Sequence, residues 1–170
     1  MTLPYPSAIL NEQMIRTDAE NDGQRRRGLS ARDVVFLWGP ALIWMGAIFY
    51  VSSVNTWTAT PKVPEWQGLR KLAHIGEYAL LALLVGRALL GTWTAGGASL
   101  SRALLRRVWV WGATISGLYA VSDEVHQGTV PGREFHWEDV TIDTLAGIAA
   151  LGIWYIVYVE LRRRRGRGGA

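Results

Sequence analysis

The chain has no cysteine and only two lysines among its 170 residues. The first absence excludes disulfides and thiolate metal sites, and it leaves the compartment open. The second means that the basic balance, +4 overall, rests on 16 arginines. A third absence is local: no charged residue occurs from Val34 to Val54. Hydrophobic residues make up 49% of the chain, close to the average of soluble proteins, so the total decides nothing. Their distribution decides a great deal, because residues 1–33 and 161–170 are polar and the apolar residues are gathered into long runs between them.

Val34–Val54 is 21 residues long. As a helix at about 1.5 Å per residue it reaches about 31 Å, enough to cross a bilayer. It is too long for the apolar region of a signal peptide and no small-residue cleavage site follows, so it reads as a retained anchor. Pro40 is expected in its first two turns, where a missing amide matters least. Three further runs are shorter: Tyr78–Leu90, interrupted only by Arg87, then Val108–Ser122 and Thr144–Val159. Each reaches spanning length only by taking in a polar turn, respectively Leu72–Glu77, Asp123–Gln127 and Asp139–Asp143. These runs are apolar on every side, without the polar stripe that a water-soluble helix carries. The expectation is therefore an all-α, four-helix transmembrane bundle over 34–160, with helices at about 34–54, 71–90, 107–127 and 139–160. A disordered tail over 1–33, a flexible connection over 91–101 and a basic tail over 161–170 complete the chain.

Arginine and lysine set the orientation. Thirteen fall on the side of the two tails and the second connection, against four on the other side (Lys62, Arg70, Lys71 and Arg133). Arg87 is expected to snorkel to the arginine-rich side. Both termini are thus expected in the cytoplasm, with the chain multi-pass in the bacterial inner membrane. The run Arg162–Arg165 stands where the last span needs a stop signal, and no groove-reading motif accompanies it, so nucleic acid is not expected as a partner. Trp57, Trp66 and Trp137 at one face, and Trp93, Trp109 and Trp111 at the other, fit interfacial belts.

With that topology the polar turns of three helices meet in one layer near the outer surface. His74, Glu77, Asp123 and Asp143 fall about one to two turns deep. Ionisable groups are expensive in hydrocarbon and normally face the bundle interior, paired with one another. Helical spacing extends the layer to Tyr78, to Tyr119 with His126 or Gln127, and to Asp139 with Gly147. Glu124 points about 100° away from Asp123, which leaves a solvated role open for it. Between the last two spans, Pro131-Gly132 suits a type II turn that aims Arg133 back over the acids.

The motifs Asp123-Glu124-Val125-His126-Gln127, Pro131-Gly132-Arg133 and Asp139 resemble the VanZ-like family of bacterial membrane proteins. So do Phe49-Tyr50-Val51-Ser52-Ser53, Lys71-Leu72-Ala73-His74-Ile75-Gly76-Glu77-Tyr78, Gly147 and Gly152. The resemblance covers about residues 36–158. Asp143 stands where the family often has Asn, and His136 where Ser is common. The resemblance implies a four-helix membrane protein with a role in the cell envelope, related to proteins linked to low-level resistance to the glycopeptide teicoplanin. It supplies no reaction and no cofactor.

Three function classes remain open on the residues. In the first, the layer binds or processes an amphiphilic or lipid-linked envelope substrate at the outer leaflet. His74, Glu77, Asp123, Glu124, His126, Asp139 and Asp143 would be acid–base candidates, and Arg133, Gln127, Tyr119 and Tyr78 would hold an anionic head group. No Ser-His pair at recognisable spacing names a nucleophile. The second class is a proton- or ion-coupled transporter, disfavoured because the cluster sits at one end and the far half of its helix offers only Arg87. In the third, the charges satisfy each other and merely hold the helices together. Carboxylates with His74 and His126 can hold zinc or manganese, but no H-E-x-x-H or close His pair is present, so no metal is assigned.

Overall fold

The computed structural model describes residues 13, 28–54 and 64–167, with side chains for 13, 28–54, 68 and 71–164. Arg16, Arg25, Arg26, Arg27, Trp57 and Lys62 lie outside the described residues, as does most of the tail expected to be disordered. Four helices follow: α1 (Ala31–Ser53), α2 (Pro64–Ala95), α3 (Arg102–Gln127) and α4 (Trp137–Arg167). The described part is all-helical.

Each helix begins or ends for a local reason. Ser30 caps α1 through a reciprocal box with Asp33: the Asp33 amide donates to Ser30 Oγ at 3.2 Å, and the Ser30 amide donates to Asp33 Oδ2 at 3.0 Å. Ser101 caps α3 by accepting the Leu104 amide at 3.2 Å. α2 continues to Ala95, so the expected loop over 91–101 shrinks to the residues around Gly96 and Gly97. Between α3 and α4, the Arg133 amide donates to the Val130 carbonyl at 3.1 Å with Gly132 at φ 82°, the geometry of a type II turn.

The helices run up and down. α2 and α3 form the centre and pack on each other; α1 lies against both on one side and α4 on the other. Leu151 of α4 is buried where Gly86 and Gly112 leave room: a Cβ at either glycine would come within 2.7 and 2.9 Å of its methyl groups. The interior holds Ala41, Ile48, Tyr78, Leu81, Val85, Val108 and Ala120. Indole groups tie neighbours together, with Trp38 Nε1 donating to Thr92 Oγ1 at 3.1 Å and Trp44 Nε1 to the Glu77 carbonyl at 2.9 Å. Trp109 Nε1 donates to the Ile148 carbonyl at 3.3 Å and so fastens α3 to α4.

The surface carries Phe36, Ile43, Leu118, Ile153 and Ile156, each more than 60% exposed, while Asp123, Glu124 and Asp143 are buried. Apolar outside and acidic inside is the distribution of a protein surrounded by lipid. Three helices are long and apolar enough to cross a membrane: α1, α2 from Lys71 and α4 to Arg164. α3 is not among them. Its 26 residues are long enough, but Arg106, Arg107, Trp109, Trp111, Asp123 and Glu124 dilute its apolar content.

One expectation is corrected at Pro40, and Arg87 is part of the reason the proline is tolerated. Because α1 starts at Ala31, Pro40 sits in its third turn, and its missing N–H leaves the Phe36 carbonyl without its helical partner. Arg87 supplies the replacement. Its Nη1 donates to Phe36 O at 3.2 Å and Leu37 O at 3.3 Å, and its guanidinium lies 4.7 Å from the Phe36 ring centre. The exposed side chain therefore reaches across to the first turns of α1, where Leu37 stands level with Gly91. In lipid such a freed carbonyl has no water to turn to. Accordingly, Arg87→Met is expected to destabilise the protein by about 1–2 kcal/mol in denaturant titrations in micelles. In a Pro40→Ala background, where the substituted residue donates its own amide, the same change should lose less than about half as much.

Candidate functional site

At the end of the bundle where α1 and α3 finish and α2 and α4 start, Asp123 joins three helices. It is 3% exposed. Its Oδ2 accepts Ser52 Oγ of α1 at 2.9 Å, Tyr78 OH of α2 at 3.1 Å and Gln127 Nε2 of its own helix at 2.8 Å. Gln127 Nε2 also donates to Ser52 Oγ at 3.3 Å. The other carboxyl oxygen, Oδ1, is buried and has no hydrogen-bond partner. Helical spacing explains the local arrangement, since Asp123 and Gln127 are four apart on one face of α3 and both point to the seam with α1 and α2.

A second group lies between α2 and α4. His74 Nδ1 stands 3.4 Å from Asp143 Oδ2, an ion-pair distance, yet Nδ1 lacks the alignment of a hydrogen bond. Asp143 is 3% exposed, and its Oδ1 is also buried without a partner. Half-buried Glu77 lies within electrostatic reach of His74, Asp143 and Asp123, and Asp139 within reach of His74 and Asp143. The two groups therefore form one cluster with carboxylates from α2, α3 and α4. A turn further into the bundle, Ser116 is 2% exposed and its hydroxyl is unpartnered as well. Its Cβ is within 3.8 Å of where a Cβ on Gly147 would stand, so the lack of a side chain there lets α4 approach both α2 and α3.

Other expected site residues are engaged elsewhere. Glu124 is not solvated: it is 2% exposed, and its Oε1 accepts the His136 amide at 2.8 Å. A carboxylate at that amide closes the start of α4, where helix N–H groups favour negative charge. Tyr119 OH donates to the Met45 carbonyl of α1 at 2.6 Å. Tyr78 is fully buried, its hydroxyl committed to Asp123. Arg133 is half-buried at the turn between α3 and α4 and, like Asp139, makes contacts of its own.

His126 lies against the end of α1. Its Nε2 lies 2.9 Å from Ser53 Oγ, and its ring stacks on Phe49 with centroids 4.3 Å apart and planes 23° from parallel. A Ser-His pair is therefore present after all, built from α1 and α3. Ser52, Ser53, Phe49 and Ser116 are the site residues that residue-type reasoning missed. The first three were legible only as a short motif closing an apolar run; Ser116 reads from the sequence only as a small residue that, with Gly112, suits close helix packing. Among the described residues no group of three or more His, Asp or Glu side chains is arranged to hold a metal ion, and His126 is committed to Ser53 and Phe49 rather than to the His74–Asp143 pair.

Comparison with curated proteins finds no match, and neither does comparison with solved structures. The profile of the VanZ/LLP1 family matches residues 14–158, starting earlier than the resemblance in the motifs alone and taking in part of the N-terminal segment. With the match running from that segment almost to the end of α4, through every element that builds the cluster, the chain belongs to the VanZ/LLP1 family.

Proposed function

We propose that this VanZ-like protein crosses the bacterial inner membrane four times with both termini in the cytoplasm. Its acidic cluster then lies in the outer leaflet, where it receives the head group of an amphiphilic or lipid-linked envelope molecule. α3 is the fourth span in this reading, carried by its neighbours: it contacts all three other helices, so its buried polar residues face protein. Orientation rests on the arginine asymmetry, thirteen basic residues against four. Arg133, at the rim, suits a phosphate or carboxylate on the ligand. A role in tolerance of glycopeptides such as teicoplanin belongs to this reading as the envelope process the site would serve.

One observation carries the ligand reading: Asp123 Oδ1 and Asp143 Oδ1 are buried and unpartnered in the same cluster. A purely structural network gains most when every buried oxygen is satisfied, and each one left over costs about 1–3 kcal/mol. Here Asp123 gathers three donors on one oxygen and leaves the other facing the interior. That lopsidedness suits a carboxyl that holds its helices with one atom and a ligand with the other.

The cysteine-free chain makes topology directly testable. Thr129→Cys, at the exposed turn after α3, is expected to react with a membrane-impermeant maleimide in intact cells. Ala98→Cys, at the opposite end, should react only after permeabilisation; the reverse pattern would overturn the orientation. For the site, native mass spectrometry of protein released from bacterial-lipid nanodiscs should find a retained amphiphile. Asp123→Asn and Asp143→Asn should each lower its occupancy about tenfold or more, the loss of roughly one charged hydrogen bond. Unchanged occupancy in both variants, with unchanged melting, would leave the cluster a structural device.

A further inference from the structure

The two serines that end α1 have separate partners. Ser52 is 4% exposed and turned to Asp123. Ser53, about 100° further round the helix, is half-buried. Its Oγ lies 2.7 Å from the Phe49 carbonyl, to which it donates, and 2.9 Å from His126 Nε2. Because Phe49 also stacks on the imidazole, one turn of α1 fixes both the hydroxyl and the ring. A hydroxyl and an imidazole nitrogen at hydrogen-bond distance, with the ring held in place, are the elements of an activated nucleophile.

We propose that Ser53 and His126 are the nucleophile and general base of an acyl-transfer site acting on the ester of a membrane lipid. The proposal rests on the outer-leaflet reading and names its chemistry. The substrate class follows from the surroundings. Phe49, Tyr50 and Val51 are 50%, 71% and 46% exposed on the same last turns of α1, an apolar surface for an acyl chain. The helix ends at Ser53, directly beyond them, which in the outer-leaflet reading is the level of a glycerolipid's ester groups.

The step balances without an oxidant or reductant. With Nε2 unprotonated, the Ser53 hydroxyl hydrogen turns about the Cβ–Oγ bond from the Phe49 carbonyl to Nε2, and the heavy atoms stay where they are. Oγ bonds to the ester carbonyl carbon as the proton passes to Nε2. The tetrahedral intermediate then breaks its bond to the lyso-lipid oxygen, which leaves with that proton. Water, deprotonated by the same nitrogen, releases the acyl group as a fatty acid and restores Ser53. The Val54 amide is shared between the Tyr50 and Val51 carbonyls at 3.2 and 3.3 Å, so among the described residues the end of α1 presents no free amide to the oxyanion. Acylation is accordingly slow, by about 100-fold or more against sites with such donors, and covalent capture is the suitable readout.

The full-length protein in vesicles of phosphatidylglycerol and phosphatidylethanolamine is treated with a fluorophosphonate, which bonds an activated serine and expels fluoride. Peptide mass spectrometry is expected to place the adduct on Ser53. It should be absent in Ser53→Ala and form about 100-fold more slowly in His126→Ala, with added imidazole restoring part of the rate. Ser122→Ala, which removes an exposed hydroxyl bonded to the Tyr119 carbonyl, should label like the wild type. No adduct on Ser53, or equal rates in wild type and His126→Ala, overturns the proposal. Should the His126 variant fail to melt cooperatively, His126→Gln, which keeps a polar side chain against Phe49, takes its place under the same criteria. If labelling fails while amphiphile retention still depends on Asp123, only the acyl-transfer step falls. If Ser53 labels but retention ignores Asp123, only the head-group site falls.

Discussion

The structure turns on a carboxylate that cannot be hydrated. Asp123 sits among helices whose surroundings are apolar, and its Oδ2 can be satisfied only by groups the protein itself supplies. Ser52 and Tyr78 answer from α1 and α2, and Gln127 from one turn away. In water each such bond would add little, because solvent competes for both partners. In a low-dielectric interior the alternative to the bond is a bare charge or hydroxyl, so the penalty for separating the helices grows. The three bonds therefore act as a register mark. They set how far α1 slides along α3, and with it which carbonyls and hydroxyls the remaining residues of α1 can reach.

Much of this was legible in the sequence, for reasons that can be traced. Helices declare themselves by continuous apolar runs, and their polar ends by the positions where those runs stop. That is why His74, Glu77, Asp123 and Asp143 group together on the sequence: each lies where an apolar run falls short at the same end of an up-and-down bundle. What a run cannot give is partnership across helices. Ser53 and His126 are 73 positions apart, and neither is unusual where it stands. Helical spacing turns Glu124 away from Asp123, which leaves a solvated role open beside its place among the acid–base candidates. Spacing says nothing of the chain returning from the Pro131-Gly132 turn to bury it under the His136 amide. The same blindness applied to Arg87. A lone arginine in a run suggests snorkelling, and nothing in the run shows that the proline it serves lies on another helix.

The arrangement also explains how a helix as polar as α3 is accommodated. It carries Asp123, Glu124 and Gln127 on buried positions, and it touches every other helix. A helix so polar would be a poor independent span. Its neighbours surround those polar positions, while the exposed faces of α1 and α4 are formed by residues such as Ile43, Phe36, Ile153 and Ile156. Polarity is concentrated where protein surrounds it, and hydropathy read helix by helix underestimates what the bundle tolerates.

The same logic separates residues that hold the cluster from residues that are left to act. Tyr78, Tyr119, Gln127 and Glu124 have their polar atoms committed to neighbouring helices or to the backbone. Asp123 is divided, one oxygen bonded three times and the other not at all. Asp143 leans on His74 without a full hydrogen bond. Of these, Asp123 sits at the end of α1, bonded to Ser52, whose neighbour Ser53 faces an imidazole. Anchored and unsatisfied polar atoms are thus carried by adjacent residues of the same short segments. Any change at Ser52 that loosens Asp123 must also move Ser53 relative to His126, because a single helical turn carries both.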